Sequence, residues 1–438
     1  MDLTIERLGP ARIRSPLRYS NVLGDHVANY VSDDARVLYD LSLERVMEHF
    51  QEGKNEQPLS FERAGPREFI YFDPSKLRVG IVTCGGLCPG LNNVIRALVM
   101  ELHYHYGVRR IHGFLYGFEG LAPEAGHDVL DLSPSVVKDI HHDGGTILGS
   151  SRGPQDVVAM VDTLERMGIG LLFTIGGDGT MRGALAIHEE IQARGLKISV
   201  IGIPKTIDND IALVEKTFGF ETAFSIAIQS IRSAHVEAEG APNGIGLVQL
   251  MGRHSGYIAA NAALAEPDVN CVLIPEIPFV LEGEKGLIAW LTRRLESRGH
   301  AVIVVAEGVG QDLLQQDRKR YDPSGNLDLA DIGLFLKEAI SDELNTRGIR
   351  HTLKYIDPSY LVRSAPANPN DSLFCATLAQ NAVHAGLSGR TGMLVGIWNN
   401  VFTHVPIRAA VASRKLVDPE GELWRAVLET TGQPAFWG

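Results

Sequence analysis

The chain has 438 residues, of which 45% are hydrophobic and 21% charged, and it carries a formal charge of −12 at pH 7. That length holds about two or three ordinary domains. The acidic balance argues against nucleic acid or an acidic membrane as the main partner, so an anionic substrate needs a local basic pocket. No apolar run reaches the roughly 18 residues of a membrane span. The N-terminus lacks a basic-then-apolar leader, and the 4 cysteines have no CxxC spacing, which fits the reducing cytoplasm.

Residues 1–75 carry Pro10, Pro16, Pro58, Pro66 and Pro74 and are read as an N-terminal extension that packs on the body or on a neighbour. Val37, Leu38, Leu41, Leu43, Val46 and Met47 recur at roughly helical spacing, which predicts a helix over 37–50. From Leu77 onward, apolar runs at 79–82, 111–115, 170–175 and 198–203 alternate with helix-length segments. This alternation predicts a mainly parallel sheet with helices on both faces. A second α/β stretch has strand candidates at 245–250, 271–274 and 301–306, with helices over about 222–237 and 283–297. The expected plan is two open, mainly parallel-sheet, three-layer α/β domains with the active site in the cleft between them. The extension (1–75) is followed by a phosphoryl-donor domain (76–220, to which 364–412 return), a second domain (221–363) and a C-terminal segment (413–438).

The chemistry-bearing turns follow the predicted strands, where ligands of open α/β sheets bind. Thr83-Cys84-Gly85-Gly86-Leu87-Cys88-Pro89-Gly90 precedes a predicted helix over 91–105. It suits phosphate on backbone N–H groups but matches neither GxxxxGK[ST] nor GxGxxG, and alone it reads equally as a tight structural turn. Gly144-Gly145-Thr146 leads to Arg152, either a phosphate clamp or a surface arginine. Gly176-Gly177-Asp178-Gly179-Thr180, with Gly183 beyond it, joins a glycine turn to a carboxylate suited to Mg²⁺. Pro204-Lys205-Thr206-Ile207-Asp208-Asn209-Asp210 supplies a cation, a candidate general base and a second carboxylate. The alternative for such aspartates is an Asx-type backbone cap. Further on come Met251-Gly252-Arg253-His254-Ser255-Gly256, with Arg253 expected at a helix start, then Glu276, Glu307-Gly308, and the trio Lys354, Tyr360 and Arg363.

In this order the motifs resemble one family, the phosphofructokinases, over roughly residues 76–400. The resemblance implies phosphoryl transfer to the 1-hydroxyl of fructose 6-phosphate. It places Gly86, Arg152, Gly177, Asp178, Gly179, Thr180 and Gly183 at the nucleotide, with Asp178 linked to Mg²⁺. Thr206 and Asp210 flank the reacting group, Asp208 matches the general base, and Lys205 joins them as a charge-neutralising cation. Met251, Gly252, Arg253 and Glu276 match the sugar-binding set, and Tyr360 and Arg363 lie near the sugar phosphate. Lys354 falls where a neighbouring subunit donates a cation, which implies a homodimer or homotetramer.

Gly179, where pyrophosphate users of the family carry Asp, leaves room for ATP. Lys205 is the pyrophosphate-type residue, and the Gly/Lys combination resembles the ATP-dependent enzymes of plants and kinetoplastids. ATP is therefore expected as donor. The alternatives are a pyrophosphate-dependent phosphotransferase and a non-catalytic, sugar-phosphate-binding regulatory subunit. Two positions depart from the short bacterial pattern. No arginine precedes the MGR turn at Pro242-Asn243-Gly244-Ile245, and Arg96, which matches an effector-binding arginine, has Met100 one turn later.

Overall fold

Runs of buried, mainly aliphatic residues set the central strands of this chain, whose computed structural model describes residues 1–51, 57–314 and 329–437. The principal elements are, in chain order, β1 (Arg36–Leu38), α1 (Leu43–Gln51), β2 (Ser60–Arg63), β3 (Arg78–Thr83), α2 (Leu91–Met100), β4 (Arg110–Phe114), β5 (Val129–Asp131), α3 (Val157–Met167), β6 (Leu171–Gly176), α4 (Asp178–Ala193) and β7 (Ser199–Pro204). There follow α5 (Phe220–Glu239), β8 (Gly244–Leu250), α6 (Tyr257–Ala265), β9 (Cys271–Leu273), α7 (Leu287–Arg298), β10 (His300–Ala306), α8 (Ile332–Thr346), β11 (Thr352–Ile356), α9 (Ser359–Ser364), α10 (Pro369–Leu387), β12 (Met393–Trp398) and β13 (Val401–Pro406). The chain divides into two compact units. The first comprises Met1–Thr206, Ile211–Gly219 and Ala365–Arg414, the second Ile207–Asp210, Phe220–Ser364 and Lys415–Gly438.

The first unit is built on a sheet of 9 strands in the order β1-β2-β13-β12-β7-β6-β3-β4-β5. Its middle, from β12 to β4, is parallel. Every residue of β6 and β7 is buried, as a strand covered on both faces requires. On one face Met160, Val161 and Leu164 of α3 and Met181, Ala184 and Ile187 of α4 join Val82, Leu172 and Val200 in a single core. The pairing brings Gly176 level with Pro204 and Thr83 level with Ile175. The turns that follow β3, β6 and β7 therefore emerge side by side.

The second unit has a wholly parallel sheet of 4 strands in the order β9-β10-β8-β11. Leu250 lies opposite Ala306, Val305 opposite Leu273, and Val248 opposite Ile356. The turns at 251–256, 274–276, 307–308 and 357–363 thus share one end of this sheet.

The predicted helix over 37–50 is only partly present. Val37 and Leu38 belong to β1, which pairs antiparallel with β2. Asp40 then accepts a hydrogen bond from the Ser42 N–H at 2.8 Å, an Asx turn that separates strand from helix. α1 begins only at Leu43, and Leu41, Leu43 and Met47 are exposed. Their helical spacing marks no core face. The helix expected over 91–105 continues beyond α2 as a π-turn at Glu101–His105. The strands expected from Leu77 to 306 and the helices over 222–237 and 283–297 appear as β3, β4, β6 to β10, α5 and α7.

Candidate active site

In the first unit three turns meet at the carboxyl ends of β3, β6 and β7. Gly86 packs so closely that a Cβ on it would come 3.2 Å from Nη2 of Arg152. The exposed Arg152 is thereby set beside the glycine turn, although it lies in irregular chain far along the sequence. The neighbouring Ser150 hydroxyl donates to the Gly85 carbonyl at 2.5 Å, and the Gly85 N–H donates to Ser151 at 3.1 Å. The Lys205 side chain is buried at 6% exposure and donates from Nζ to the Gly86 carbonyl. Gly86, Arg152 and Lys205 therefore form one cationic cluster lined with backbone.

The second turn caps α4. Gly177 is its N-cap and supplies no side-chain cap. The first N–H groups of a 16-residue helix point out of the end of β6, and such a terminus favours an anion. Thr180 is buried, whereas Gly179 is exposed with open space where a side chain would begin. Gly183, one turn later, faces the Phe118 ring, with which a Cβ would clash at 2.5 Å. Its contact is thus one of packing against that ring. The Thr206 carbonyl accepts the Thr217 hydroxyl at 2.7 Å, which fixes the end of the Lys205 turn.

Asp178 opens α4, and its Oδ2 is paired with Arg182 at 3.1 Å and with Arg414 at 3.6 Å. Neither arginine is among the residues singled out from the sequence. Arg182 carried a local signal, since it stands one turn beyond Asp178, while Arg414 comes from the far end of the chain. A single carboxylate at a phosphate-suited helix start is the donor set Mg²⁺ uses when it keeps most of its waters and shares substrate phosphates. The residues present fit that ion, and binding through water leaves both arginine pairs intact.

The second unit gathers a different set. Asp208 and Asp210 precede α5, separated by Asn209 in the left-handed region at φ 53°. The residue Asp208 is half-buried, yet its carboxylate Oδ1 is out of reach of solvent. The Arg253 backbone N–H donates to this carboxylate, and the Ser255 hydroxyl donates to the Asp208 carbonyl at 2.9 Å. Burial pushes the Asp208 carboxyl up to about 8, and the charges of Asp210 and Glu307 add to the rise, while Arg253 and Arg363 oppose it. Glu307, at the end of β10, is likewise raised by burial, against the pull of Arg363 and Arg253. One aspartate, one glutamate and two arginines thus sense one another at the ends of β8, β10 and β11.

Glu276 has a related environment. Its Oε1 accepts the N–H groups of Gly256 at 2.9 Å and Val417 at 2.8 Å. Its Oε2 is buried and accepts no hydrogen bond among the described residues, and burial raises its carboxyl above the usual range. A buried acceptor left in this way suits a ligand hydroxyl. Met251 is buried at 5% exposure, and Gly252 adopts φ 130°. Arg253 lies in a loop, because α6 starts only at Tyr257. Gly252 and the close approach of Gly308 to the Arg253 carbonyl hold that loop open.

The last predicted trio divides. Arg363, on α9, is close enough to act on Asp208 and Glu307. Tyr360 is 85% exposed on the same helix. Lys354 lies mid-strand in β11 opposite Gly246 and pairs with Glu237 at 3.8 Å. Within its own chain its charge partner is therefore Glu237 and not the Asp208 group.

Residues 78–386 match the profile of the family described as Phosphofructokinase. The chain belongs to the phosphofructokinase family. Among its relatives are the ATP-dependent 6-phosphofructokinases of Amycolatopsis methanolica, 50% identical over 100% of this chain and 96% of that one, and of Borreliella burgdorferi, 48% identical over 99% and 97%. That of Trypanosoma brucei brucei is 48% identical over 85% of this chain and 77% of its own. The fold is shared with the pyrophosphate-dependent phosphofructokinase of Marinobacter aquaeolei, with a TM-score of 0.66, 21% identity and coverage of 83% and 92%. As a phosphofructokinase, the chain is an α/β enzyme of the kinase class.

Proposed function

We propose that this phosphofructokinase transfers the γ-phosphoryl group of ATP to the 1-hydroxyl of fructose 6-phosphate, giving fructose 1,6-bisphosphate and ADP, a step of glycolysis. The observation that carries the reading is the buried Asp208 carboxylate, held by the Arg253 N–H and surrounded by Glu307, Arg253 and Arg363. A carboxylate of ordinary acidity is a weak base. Desolvation strengthens Asp208 as a proton acceptor towards the operating pH, where general-base catalysis works best. Asp208 is the residue that takes the proton of the sugar hydroxyl, and Asp210 assists it.

The first unit is the donor domain. Arg152 and Lys205 offset charge on the transferring group. The backbone of Gly86, Gly177, Gly179 and Thr180 faces the phosphates of the nucleotide, and Thr206 closes the turn beside them. Mg²⁺, when bound with the nucleotide, neutralises phosphate charge, and Asp178 is the residue that would hold it. The second unit is the sugar-phosphate domain. Glu276 receives a sugar hydroxyl at Oε2, Met251 and Gly252 shape the wall, and Arg253, Arg363 and Tyr360 serve the sugar phosphate. Lys354 is available to a neighbouring copy of the chain, so the enzyme works as a homodimer or homotetramer. Among the described residues no helix is long and apolar enough to cross a membrane, and the expected compartment is the cytoplasm.

Donor choice rests on Gly179. The space beyond its Cα is open, and a carboxylate there would bring bulk and negative charge to the nucleotide phosphates. The purified enzyme is expected to use ATP at least about 100-fold more efficiently than pyrophosphate, and Gly179→Asp is expected to lose most of that ATP turnover. Steady-state rates with each donor check both points. Faster turnover with pyrophosphate than with ATP would reverse the assignment.

A further inference from the structure

The second unit carries a cluster of metal-ligating side chains unconnected with phosphoryl transfer. His235 and Glu239 stand one turn apart on the last turns of α5, and His300 is the first residue of β10. One ligand atom of each lies within 4.8 Å of the others. The His235 Nε2 is already 3.4 Å from Glu239 Oε1. Two ligands bound tetrahedrally to zinc at about 2.0–2.1 Å are separated by about 3.3–3.4 Å. The rings of His235 and His300 are nearly parallel, at 23°, with centroids 5.5 Å apart.

A second observation concerns the other nitrogen of His235. Its Nδ1 is 3.0 Å from Oδ2 of Asp268. A proton on Nδ1 shared with that carboxylate leaves the Nε2 lone pair directed at Glu239. This carboxylate–histidine arrangement orients imidazole ligands in metal sites. The carboxyl end of a 20-residue helix adds a favourable potential for a cation. Two imidazoles and one carboxylate suit a first-row transition dication, whereas Mg²⁺ favours oxygen ligands.

We propose that His235, Glu239 and His300 form a binding site for Zn²⁺ or a chemically similar dication, with Asp268 as the residue that positions His235. The site ties the end of α5 to the start of β10. It lies at the opposite end of that strand from Glu307, about 20 Å away at strand rise, and is independent of the catalytic assignment.

The test is calorimetric titration of chelator-stripped, full-length enzyme with zinc chloride, without nucleotide and with Mg²⁺ in excess. One Zn²⁺ per chain is expected, with a Kd of about 1 µM or below. Asp268→Asn is expected to weaken binding by roughly 10–100-fold. The double variant His235→Ala/His300→Ala, which retains all 4 cysteines, should lose it by at least about 100-fold. Should that variant fail to fold by circular dichroism, Glu239→Gln at an exposed position serves instead, with at least about tenfold weaker binding and unchanged turnover with MgATP. Co²⁺ should give visible tetrahedral bands that these variants lose. Wild-type affinity weaker than about 100 µM, or Zn²⁺ binding unchanged in the variants, would overturn the proposal.

Discussion

A raised carboxyl in a folded protein is a stability statement as well as a catalytic one. Asp208 binds its proton up to about pH 8 in the folded chain, against about 3.9 when unfolded. Below the unfolded value both states are protonated, and the buried carboxyl costs nothing. As pH rises through that window the unfolded chain ionises first, so stability falls until the folded carboxyl ionises too. Asp208→Asn, which keeps the shape and removes the ionisation, should therefore raise Tm most at pH 8–9, on the order of a few degrees. The gain should fade as pH falls towards 4. Calorimetry of both proteins across that range checks the sign, and a gain that grows on acidification would refute the buried environment assigned to Asp208.

At the scale of elements, the turn 251–256 matters as much as the side chains it carries. It delivers the Arg253 N–H and the Ser255 hydroxyl to Asp208. Gly252 makes it possible, with φ 130° and a position where a Cβ would lie 2.5 Å from the Ser255 carbonyl. Gly252→Ala cannot keep that conformation. We expect kcat to fall by roughly 10²-fold or more with the fold retained, measured by steady-state kinetics beside circular dichroism. Much of this architecture was legible in the chain itself. Buried parallel strands read as continuous aliphatic runs, and most of the motifs follow one of them, which puts turns far apart in sequence at strand ends; the segment carrying Arg152 follows no such run. Less legible was what depends on long-range partners. The strand Arg36–Leu38 resembled a helix because its apolar spacing was compatible with both, and only pairing with β2 decides it. Arg414 beside Asp178 and the Val417 N–H on Glu276 come from the end of the chain, with no local pattern to point at either site. Lys354 stands close to Tyr360 and Arg363 in sequence, but strand register sets it apart, whereas Tyr360 and Arg363 stay one turn apart on the same helix.

For the molecule as a whole, the N-terminal segment is part of the first unit's sheet and is fastened by buried charge. Glu62, on β2, accepts hydrogen bonds from Arg390, from His404 Nδ1 at 2.9 Å and from Arg67 at 3.5 Å. Asp33 receives Arg390 at 2.8 Å and Arg67 at 2.9 Å. Arg390 and His404 are almost wholly buried. Burial alone would raise the Glu62 carboxyl, but His404 and Arg390 together hold it well below the usual range, and burial pushes His404 down to about 4. Both shifts remove stability on acidification: the unfolded histidine takes a proton first as pH falls from 6.5 to about 4, and Glu62 loses its ion pairs as pH falls further through its depressed value. Glu62→Gln, which leaves the buried Arg390 and Arg67 with Asp33 as their shared carboxylate partner, is expected to destabilise the chain by about 3 kcal/mol, read as a lower midpoint in urea at pH 7. A change below about 1 kcal/mol would mean that the segment is held mainly by its strand pairing.

The most direct test of the central claim is the turnover of fructose 6-phosphate with MgATP by wild type and by Asp208→Asn, alongside the affinity of each for the sugar phosphate. Loss of the base should lower kcat by roughly 10²–10⁴-fold while the sugar phosphate still binds within a few-fold of wild type. A loss of less than tenfold, with binding intact, would contradict the assignment of Asp208 as the residue that takes the proton.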